Sequence, residues 1–106
     1  CQLNAYVAPI EIGFGVDIAP NCVFYSYDHG FEPNIPIREQ PLQTKGGILI
    51  DDQSWLGVGV TVLSGVHIGK GAVIGAGSVV THDIPGGAIA VGRPARVVRM
   101  RERIRG

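Results

Sequence analysis

The 106-residue sequence has only two cysteines and contains no run of 18 apolar residues. Two cysteines are too few for the disulfide framework of a small secreted domain, and they fit a reducing compartment. The sequence also lacks the apolar h-region of a secretory signal and any segment able to span a membrane. We therefore expect a cytoplasmic protein with a single domain and no membrane partner.

The sequence carries no net charge, because nine basic residues balance nine acidic ones. The charges are unevenly spread: residues 1–92 hold eight acids against three basic residues, and residues 93–106 hold six arginines against Glu102. A basic segment of this kind can hold a phosphorylated ligand or can simply be solvated. It is short and lacks interleaved aromatic residues, so we do not expect nucleic acid as a partner.

Large side chains recur at every sixth position. This period is neither that of a helix nor that of a simple strand, and it indicates a repeat architecture. Each hexad reads as a short strand and a turn, and three hexads make one turn of a three-sided coil, so residues 18 apart should stack. An ordinary β-sandwich would not hold this phase over so many residues. The inward positions are Tyr6, Ile12, Ile18, Phe24, Ile50, Leu56, Val62, Ile68, Ile74 and Val80, with Cys22 at a small, buried inward position.

The hexad phase is lost between Phe24 and Ile50, where the sequence contains three prolines. Proline lacks the backbone donor that a coil ladder needs, so the chain must leave the prism. We predict an extruded loop over residues 25–47, and an excursion of this length inside a compact domain is usually functional. It carries His29 beside Asp28 and close to two aromatic residues, Tyr27 and Phe31.

A second break follows Thr81, where residues 83–87 have the composition of a turn. Further on, Pro94 suits the first turn of a helix, and Val97, Met100 and Ile104 form an apolar stripe at helical spacing. We therefore predict a coiled domain over 1–92, followed by a basic helical tail over 93–106 that caps the last coil.

Five motifs make the sequence resemble the hexapeptide-repeat acyltransferase superfamily. It is most similar to the galactoside and maltose O-acetyltransferases and to polysaccharide-cluster O-acetyltransferases, and more distantly to xenobiotic acetyltransferases. The resemblance implies an all-β fold, a left-handed parallel β-helix of about four coils with an extruded loop and a short C-terminal helix. Handedness comes from the resemblance alone, because ordinary crossovers are right-handed. The motifs are Ile18-Ala19-Pro20-Asn21-Cys22, Trp55-Leu56-Gly57, Ile74-Gly75-Ala76-Gly77-Ser78-Val79-Val80-Thr81, Asp83-Ile84-Pro85 and Gly92-Arg93-Pro94-Ala95.

The resemblance further implies a homotrimer whose active sites lie between adjacent subunits, with acetyl-CoA as co-substrate and no metal. The acetyl group would pass directly to a hydroxyl of a sugar or a similar small molecule. His29 matches the catalytic histidine, and a neutral imidazole is suited to take a proton from a hydroxyl near neutral pH. Acceptor recognition would fall to Tyr27, Asp28 and Phe31 of the loop, while Trp55 matches an aromatic residue that flanks the cleft or packs at a subunit seam.

For the cofactor, the resemblance points to backbone groups of Val58 and Ala76, which would bond the pantetheine amides. Thr81 and His82 would lie further along the same groove. Two arginines, Arg96 and Arg99, match basic positions near the nucleotide phosphates, and the planar guanidinium can donate two bonds to a phosphate. The remaining arginines of the tail, Arg101, Arg103 and Arg105, are expected to be solvated.

Three other functions fit parts of the sequence. A γ-class carbonic anhydrase would need three histidine ligands, two of them close in sequence, whereas His29, His67 and His82 are widely separated. A non-catalytic hexapeptide-repeat module used for assembly would keep the prism but would have no use for a loop histidine. An N-acetyltransferase acting on an aminosugar would look the same in sequence as an O-acetyltransferase.

Overall fold

The computed structural model describes residues 2–5, 8–29, 33–34, 36–39 and 42–101. Within them the chain forms short strands and a single-turn 3₁₀ helix, Ile37–Glu39. In chain order the strands are β1 (Gln2–Asn4), β2 (Ile10–Ile12), β3 (Asp17–Ile18), β4 (Val23–Tyr25), β5 (Asp28–His29), β6 (Leu42–Gln43), β7 (Ile48–Ile50), β8 (Trp55–Leu56), β9 (Thr61–Val62), β10 (His67–Ile68), β11 (Val73–Ile74), β12 (Val79–Val80), β13 (Ala88–Gly92) and β14 (Ala95–Met100).

These strands build a prism with three faces. Face 1 has the strand order β1-β4-β9-β12, face 2 has β2-β7-β10, and face 3 has β3-β8-β11-β13-β14. Neighbouring strands are parallel except for β13 and β14. The predicted stacking of residues 18 apart is confirmed, because Ile50 pairs with Ile68, Leu56 with Ile74 and Val62 with Val80. The all-β parallel coil predicted from the hexads is therefore present, and it has four turns in the described residues.

The inward side chains form a narrow apolar column along the prism axis. Leu56, Ile68 and Ile74 are among its large members and are essentially inaccessible to solvent. The small inward positions are buried as well, and their polar atoms are satisfied by the turns: Ser54 Oγ lies 2.8 Å from the Asp51 carbonyl oxygen. Cys22 is a buried free thiol whose sulfur contacts the Gly57 carbonyl oxygen at 3.2 Å, as its inward position predicted.

The number of residues that connect neighbouring faces is constant at two corners of the prism and varies at the third. From an inward residue of face 2 to the next inward residue of face 3, and from face 3 to face 1, the chain always advances by six residues. From face 1 to face 2 it advances by nine residues in the first coil, twenty-six in the second, six in the third and four in the fourth. We call this variable corner edge 1–2. The extruded loop leaves and re-enters the prism there.

Two details of the predicted phase are wrong because of this variable edge. Phe24 pairs with Leu3 rather than with Tyr6, since the first coil has three extra residues at edge 1–2; Tyr6 itself lies outside the described residues. Ile84, which we expected in a turn, is buried and bridges to Ile68 in the wall of face 2. The loop also begins one residue later than predicted, because Tyr25 still pairs with Asn4.

The predicted C-terminal helix is wrong over the described part of the tail. Ala95–Met100 is a strand, β14, that pairs antiparallel with β13. The open edge of β13 would otherwise leave its backbone groups unpaired, and the β-branched pair Val97 and Val98 favours a strand. Pro94 therefore lies in a hairpin turn and not in the first turn of a helix. The tail still caps the prism edge; residues 102–106 lie outside the described residues.

Candidate active site

The predicted catalytic histidine lies on a small antiparallel ladder outside the prism walls. In it, β5 pairs with β6, so that Asp28 is opposite Gln43 and His29 is opposite Leu42. The ladder projects from edge 1–2 because both limbs of the extruded loop leave the prism there. The sequence therefore placed His29 correctly in the loop. Phe31, predicted to contact the acceptor, lies outside the described residues.

Tyr27 occupies the base of the extruded loop and is partly buried. Its ring packs edge-to-face against that of Tyr25, with the two centroids 6.2 Å apart and the planes at 84°. Offset and edge-to-face pairs are the favoured arrangements for aromatic rings. Because Tyr25 belongs to the wall and Tyr27 to the loop, this contact joins the loop to face 1.

An open cavity of about 520 Å³ lies at edge 1–2, where the loop re-enters the prism. The fourth coil is two residues shorter than the third at this corner, so its edge recedes beneath the loop. Two predicted cofactor residues line the cavity together with charged and hydroxyl groups that the sequence reasoning did not select. Lys45 follows the last proline of the loop. The only sequence feature that could have marked it as a site residue is its position just before the hexads resume. The lining residues are Lys45, Ser64, Gly65, Thr81, His82 and Asp83.

Hydrogen bonds orient two groups of this cavity. The Thr81 hydroxyl lies 2.8 Å from His82 Nδ1, which engages one ring nitrogen of the exposed imidazole. The Asp83 carboxylate accepts the backbone N–H of His67 at 2.8 Å. A cavity that combines an amine, a carboxylate, an imidazole and hydroxyls suits a polar ligand with both donors and acceptors.

Face 3 carries the predicted aromatic and arginine residues. The Trp55 side chain is 53% exposed on the outer side of β8. Arg96 pairs with Val91 and Arg99 with Ile89, although a regular strand would put residues three apart on opposite sides. A register shift in the β13–β14 ladder removes that alternation, and β-bulges commonly re-aim side chains in this way. Both arginines therefore lie on the outer side of face 3.

Other arginines of the tail hold the hairpin in place. Arg93 Nε donates to the Gly77 carbonyl oxygen at 2.9 Å, and Arg101 Nη1 donates to the Gly71 carbonyl oxygen at 2.7 Å. The expectation that Arg101 is merely solvated is therefore wrong, because a turn carbonyl of the third coil lies within its reach. In the described part of the chain, the guanidinium groups of Arg96 and Arg99 have no hydrogen bond or ion pair and stay available to a ligand.

Val58 and Ala76 occupy successive turns at the corner between faces 3 and 1, which we call edge 3–1. The Val58 carbonyl accepts the Gly77 N–H at 2.7 Å, so only its amide is available to a ligand. The chain leaves the prism at Gly92 instead of adding a further turn below Ala76. In the described part of the chain, the Ala76 carbonyl therefore lacks the partner that the Val58 carbonyl has. The amide of Ala76, like that of Val58, also has no hydrogen-bond partner among the residues that the structure describes.

The predicted site residues thus fall into two groups on one chain. The first group lies at edge 1–2 and consists of Tyr27, Asp28, His29, Thr81 and His82. The second lies on face 3 and edge 3–1 and consists of Trp55, Val58, Ala76, Arg96 and Arg99. Face 1 separates the two edges, so a single chain does not bring the groups together.

His67 is exposed on face 2, where its Nε2 lies 3.3 Å from Asp51 Oδ2. The Asp52 backbone N–H and the His67 side chain hold the pKa of Asp51 below its usual value. Across the described ranges, no three His, Cys, Asp or Glu residues form a group that could hold a metal ion. In the same ranges, no helix is both long enough and apolar enough to cross a bilayer.

Comparison with known proteins agrees with this architecture. Residues 47–82 match the family model of the bacterial transferase hexapeptide (six repeats). The crystal structure of a maltose O-acetyltransferase from Clostridium difficile superposes with a TM-score of 0.79 at 41% identity, covering 89% of this chain and 49% of that chain. The chain belongs to the hexapeptide-repeat acyltransferase superfamily. Its prism is accordingly the left-handed parallel β-helix of that superfamily.

Two further relatives of this hexapeptide-repeat protein bear on its chemistry. The galactoside O-acetyltransferase of Lactococcus lactis is 42% identical over 90 residues, which are 85% of this chain and 42% of that protein. A variant of AntD, an N-acyltransferase from Bacillus cereus, was crystallised with dTDP-4-amino-4,6-dideoxyglucose and coenzyme A; it superposes with a TM-score of 0.83 at 26% identity, covering 95% of this chain and 57% of that chain. The chain spans less than half the length of four curated relatives to which it is similar.

Proposed function

We propose that this protein is an acetyl-CoA-dependent O-acetyltransferase that moves an acetyl group to a hydroxyl of a sugar or a similar small molecule. The observation that carries the proposal is the position of His29 on a short ladder that projects from the prism at edge 1–2. A scaffold role alone gives no reason for a histidine there. The relatives named as galactoside and maltose O-acetyltransferases support the same reaction.

In the proposed reaction His29 is the general base. Its neutral imidazole takes the proton of the acceptor hydroxyl while that oxygen attacks the carbonyl carbon of the thioester. The C–S bond then breaks, the thiolate of CoA leaves, and the proton held by the imidazole can pass to the sulfur. No covalent acyl-enzyme is required, because the attacking oxygen belongs to the acceptor itself.

The available groups of face 3 and edge 3–1 fit coenzyme A as the acetyl donor. The free amide and carbonyl of Ala76 suit the amides of pantetheine, and Trp55 offers an apolar outer surface. Arg96 and Arg99 supply positive charge on the same face for the nucleotide phosphates. Thr81 and His82 would bind the cofactor from edge 1–2.

We further propose a homotrimer with active sites between adjacent subunits. One chain holds the His29 ladder and the Ala76 turn on different edges, so a complete site requires groups from two chains. Packing of face 3 or edge 3–1 of one subunit near edge 1–2 of the next would assemble it. In that arrangement the extruded loop reaches over the neighbouring subunit.

The test is the rate of acetyl transfer from acetyl-CoA to a panel of sugars by the intact protein and by His29→Ala. General-base catalysis contributes roughly 10²–10⁴-fold, so the variant should lose about that much in kcat and keep its affinity for CoA. His67→Ala is the matched control, since His67 is an exposed histidine on face 2. Equal rates for His29→Ala and the unaltered protein would refute the role of His29. Absence of CoA binding would favour the assembly module.

A second candidate reaction is N-acetylation of an aminosugar. It is favoured by the likeness to AntD, an N-acyltransferase crystallised with an amino-deoxy sugar nucleotide and coenzyme A. The same base can take a proton from an attacking amine, so the two reactions differ only in the acceptor. A paired assay of one sugar and its amino-deoxy analogue decides between them by kcat/KM.

A further inference from the structure

The neck of the extruded loop is closed by a hydroxyl. Thr44 Oγ1 lies 2.6 Å from the carbonyl oxygen of Ser26, on the opposite limb of the loop, and 3.0 Å from that of Gly46. A hydroxyl has one proton, and the shorter distance assigns it to the Ser26 carbonyl. The Thr44 Oγ1 atom also accepts a hydrogen bond from the Gly46 N–H at 2.9 Å. Thr44 therefore joins the outgoing and returning limbs at the point where the loop leaves the prism.

Each limb is fastened to a different coil. On the outgoing limb, the buried Ser26 donates its Oγ–H to the Ala8 carbonyl at 2.6 Å, in the first coil. On the returning limb, the Gly46 carbonyl accepts the Gly65 N–H at 2.9 Å, in the third coil. A continuous hydrogen-bond path therefore runs from the first coil through Ser26, Thr44 and Gly46 to the third. The Thr44 hydroxyl carries this path from one limb to the other at the base of the β5–β6 ladder.

The ladder that carries His29 begins directly beyond this link. Asp28 pairs with Gln43, the neighbour of Thr44, and His29 pairs with Leu42. A two-residue antiparallel ladder has little stability of its own in water. Contacts at its base therefore help to set its register and its direction from the prism, and the bond from the Thr44 hydroxyl to the Ser26 carbonyl is one of them.

We propose that Thr44 is a positioning residue for His29: its hydroxyl holds the two limbs in register so that the imidazole meets the acceptor hydroxyl. This inference rests on the proposed function of His29 as general base. It assigns Thr44 no contact with substrate. Removal of the hydroxyl should lower kcat without weakening the binding of acetyl-CoA, since displacement of a catalytic group by about 1 Å can cost up to roughly a hundredfold in rate.

The experiment compares Thr44→Val, Thr44→Ser and Thr44→Ala with the intact protein. We expect Thr44→Val and Thr44→Ala to lower kcat by about tenfold or more, with the KM for acetyl-CoA changed by less than about twofold. Thr44→Ser keeps the hydroxyl and should stay within about twofold of the unaltered protein. Thr61→Val is the matched control, because Thr61 lies in the wall of face 1 and outside the loop. Amide exchange by mass spectrometry should be faster over residues 26–46 in Thr44→Val and Thr44→Ala, and unchanged in Thr44→Ser and Thr61→Val.

Each outcome decides the proposal. Loss of kcat in Thr44→Val and Thr44→Ala, with rescue by Thr44→Ser, supports it. Equal damage in Thr44→Ser, or unchanged kcat in Thr44→Val while His29→Ala is inactive, overturns the role of Thr44 and leaves the proposed function standing. Unchanged activity in both Thr44→Val and His29→Ala overturns the proposed function, and the role of Thr44 falls with it. If Thr44→Val fails to fold, Thr44→Ala and the exchange data carry the comparison.

Discussion

Arg101 joins the last strand to two coils at once: its guanidinium donates to the Gly71 carbonyl, and its backbone N–H donates to the Gly87 carbonyl at 2.7 Å. Gly71 lies in a turn of the third coil and Gly87 in a turn of the fourth. Beyond β13 the hairpin strand β14 has exposed valines and no buried residue after Ala95. Its attachment to the prism therefore relies on the backbone ladder with β13 and on hydrogen bonds at the two ends of the strand.

We predict that Arg101→Ala lowers the free energy of unfolding by about 1 kcal/mol, the usual net value of one hydrogen bond. Urea denaturation followed by circular dichroism measures it. Arg99→Ala is the matched control on the same strand, because Arg99 has no partner among the described residues. Its effect should stay within about 0.5 kcal/mol. Equal midpoints for the two variants would show that the guanidinium bond does not hold the hairpin.

A second prediction concerns CoA affinity. Arg96→Gln and Arg99→Gln should each raise the Kd for CoA by about five- to tenfold, since each removes a charged donor worth about 1 kcal/mol at an exposed site. The loss should shrink at high ionic strength, which screens exposed charges. Titration calorimetry at two salt concentrations gives both results. Lys70→Gln removes an exposed charge outside the strands of face 3 and should leave the Kd for CoA unchanged. An equal rise in Kd for Lys70→Gln would mean that only the net charge of the protein matters.

The burial of matched leucines gives a third prediction. Leu56 and Leu3 both occupy inward positions of the register, but Leu56 is fully buried and Leu3 is 53% exposed. Leu56→Ala should cost about 2–5 kcal/mol of stability through lost contacts and a cavity. Leu3→Ala should cost less than about 1.5 kcal/mol, because half of its surface is already in water. Denaturant midpoints measure both losses of stability. Equal losses for Leu56→Ala and Leu3→Ala would contradict the difference in burial between the two side chains.

A fourth prediction follows from the lowered pKa of Asp51. The Asp52 N–H lies 2.7 Å from Asp51 Oδ1, and the His67 ring adds a second favourable contact; both stabilise the ionised carboxylate. A carboxyl group whose pKa is lowered on folding adds stability above its unfolded value, and that stability is lost as the pH falls through the folded value. Asp51→Asn should therefore melt below the unaltered protein at pH 6.

The difference in melting temperature between Asp51→Asn and the unaltered protein should narrow once the pH is below about 3.8, the usual value for the group. Thermal melts at pH 6 and pH 3 measure it. A difference that stays constant across this range would show that the contacts with Asp52 and His67 do not favour the charged form.

The hexad period predicted the faces of the prism, because inward positions must be apolar wherever three walls meet in a narrow core. The period could not predict that Leu3 pairs with Phe24, because nothing in the composition of the first coil marks the three residues added at edge 1–2. The tail was misread because Val97, Met100 and Ile104 fit a helical stripe equally well. The tail forms a strand because the open edge of β13 needs backbone hydrogen-bond partners, and this tertiary effect is not visible in the local sequence.

The candidate site was predicted in the same uneven way. The roles of His29, Arg96 and Arg99 stay predictions from motif positions. The structure places His29 on the projecting ladder and explains how both arginines reach one side of a strand through a register shift. Lys45 and Asp83 were missed because they meet only when the shortened fourth coil lies below the returning limb of the loop. The Thr44 link was missed for the same reason: its partner, Ser26, is 18 residues away.

Among the described residues, the length changes between faces all fall at edge 1–2, so the length of the extruded loop is uncoupled from the ladders that support it. Phe24 and Ile50 stay in the same columns of the wall whether four or twenty-six residues join neighbouring faces, so a loop of another size or composition can be exchanged without disturbing the ladders elsewhere. For protein engineers, residues 28–43, beyond the link between Ser26 and Thr44, form a replaceable cassette on a frame that does not need to be redesigned.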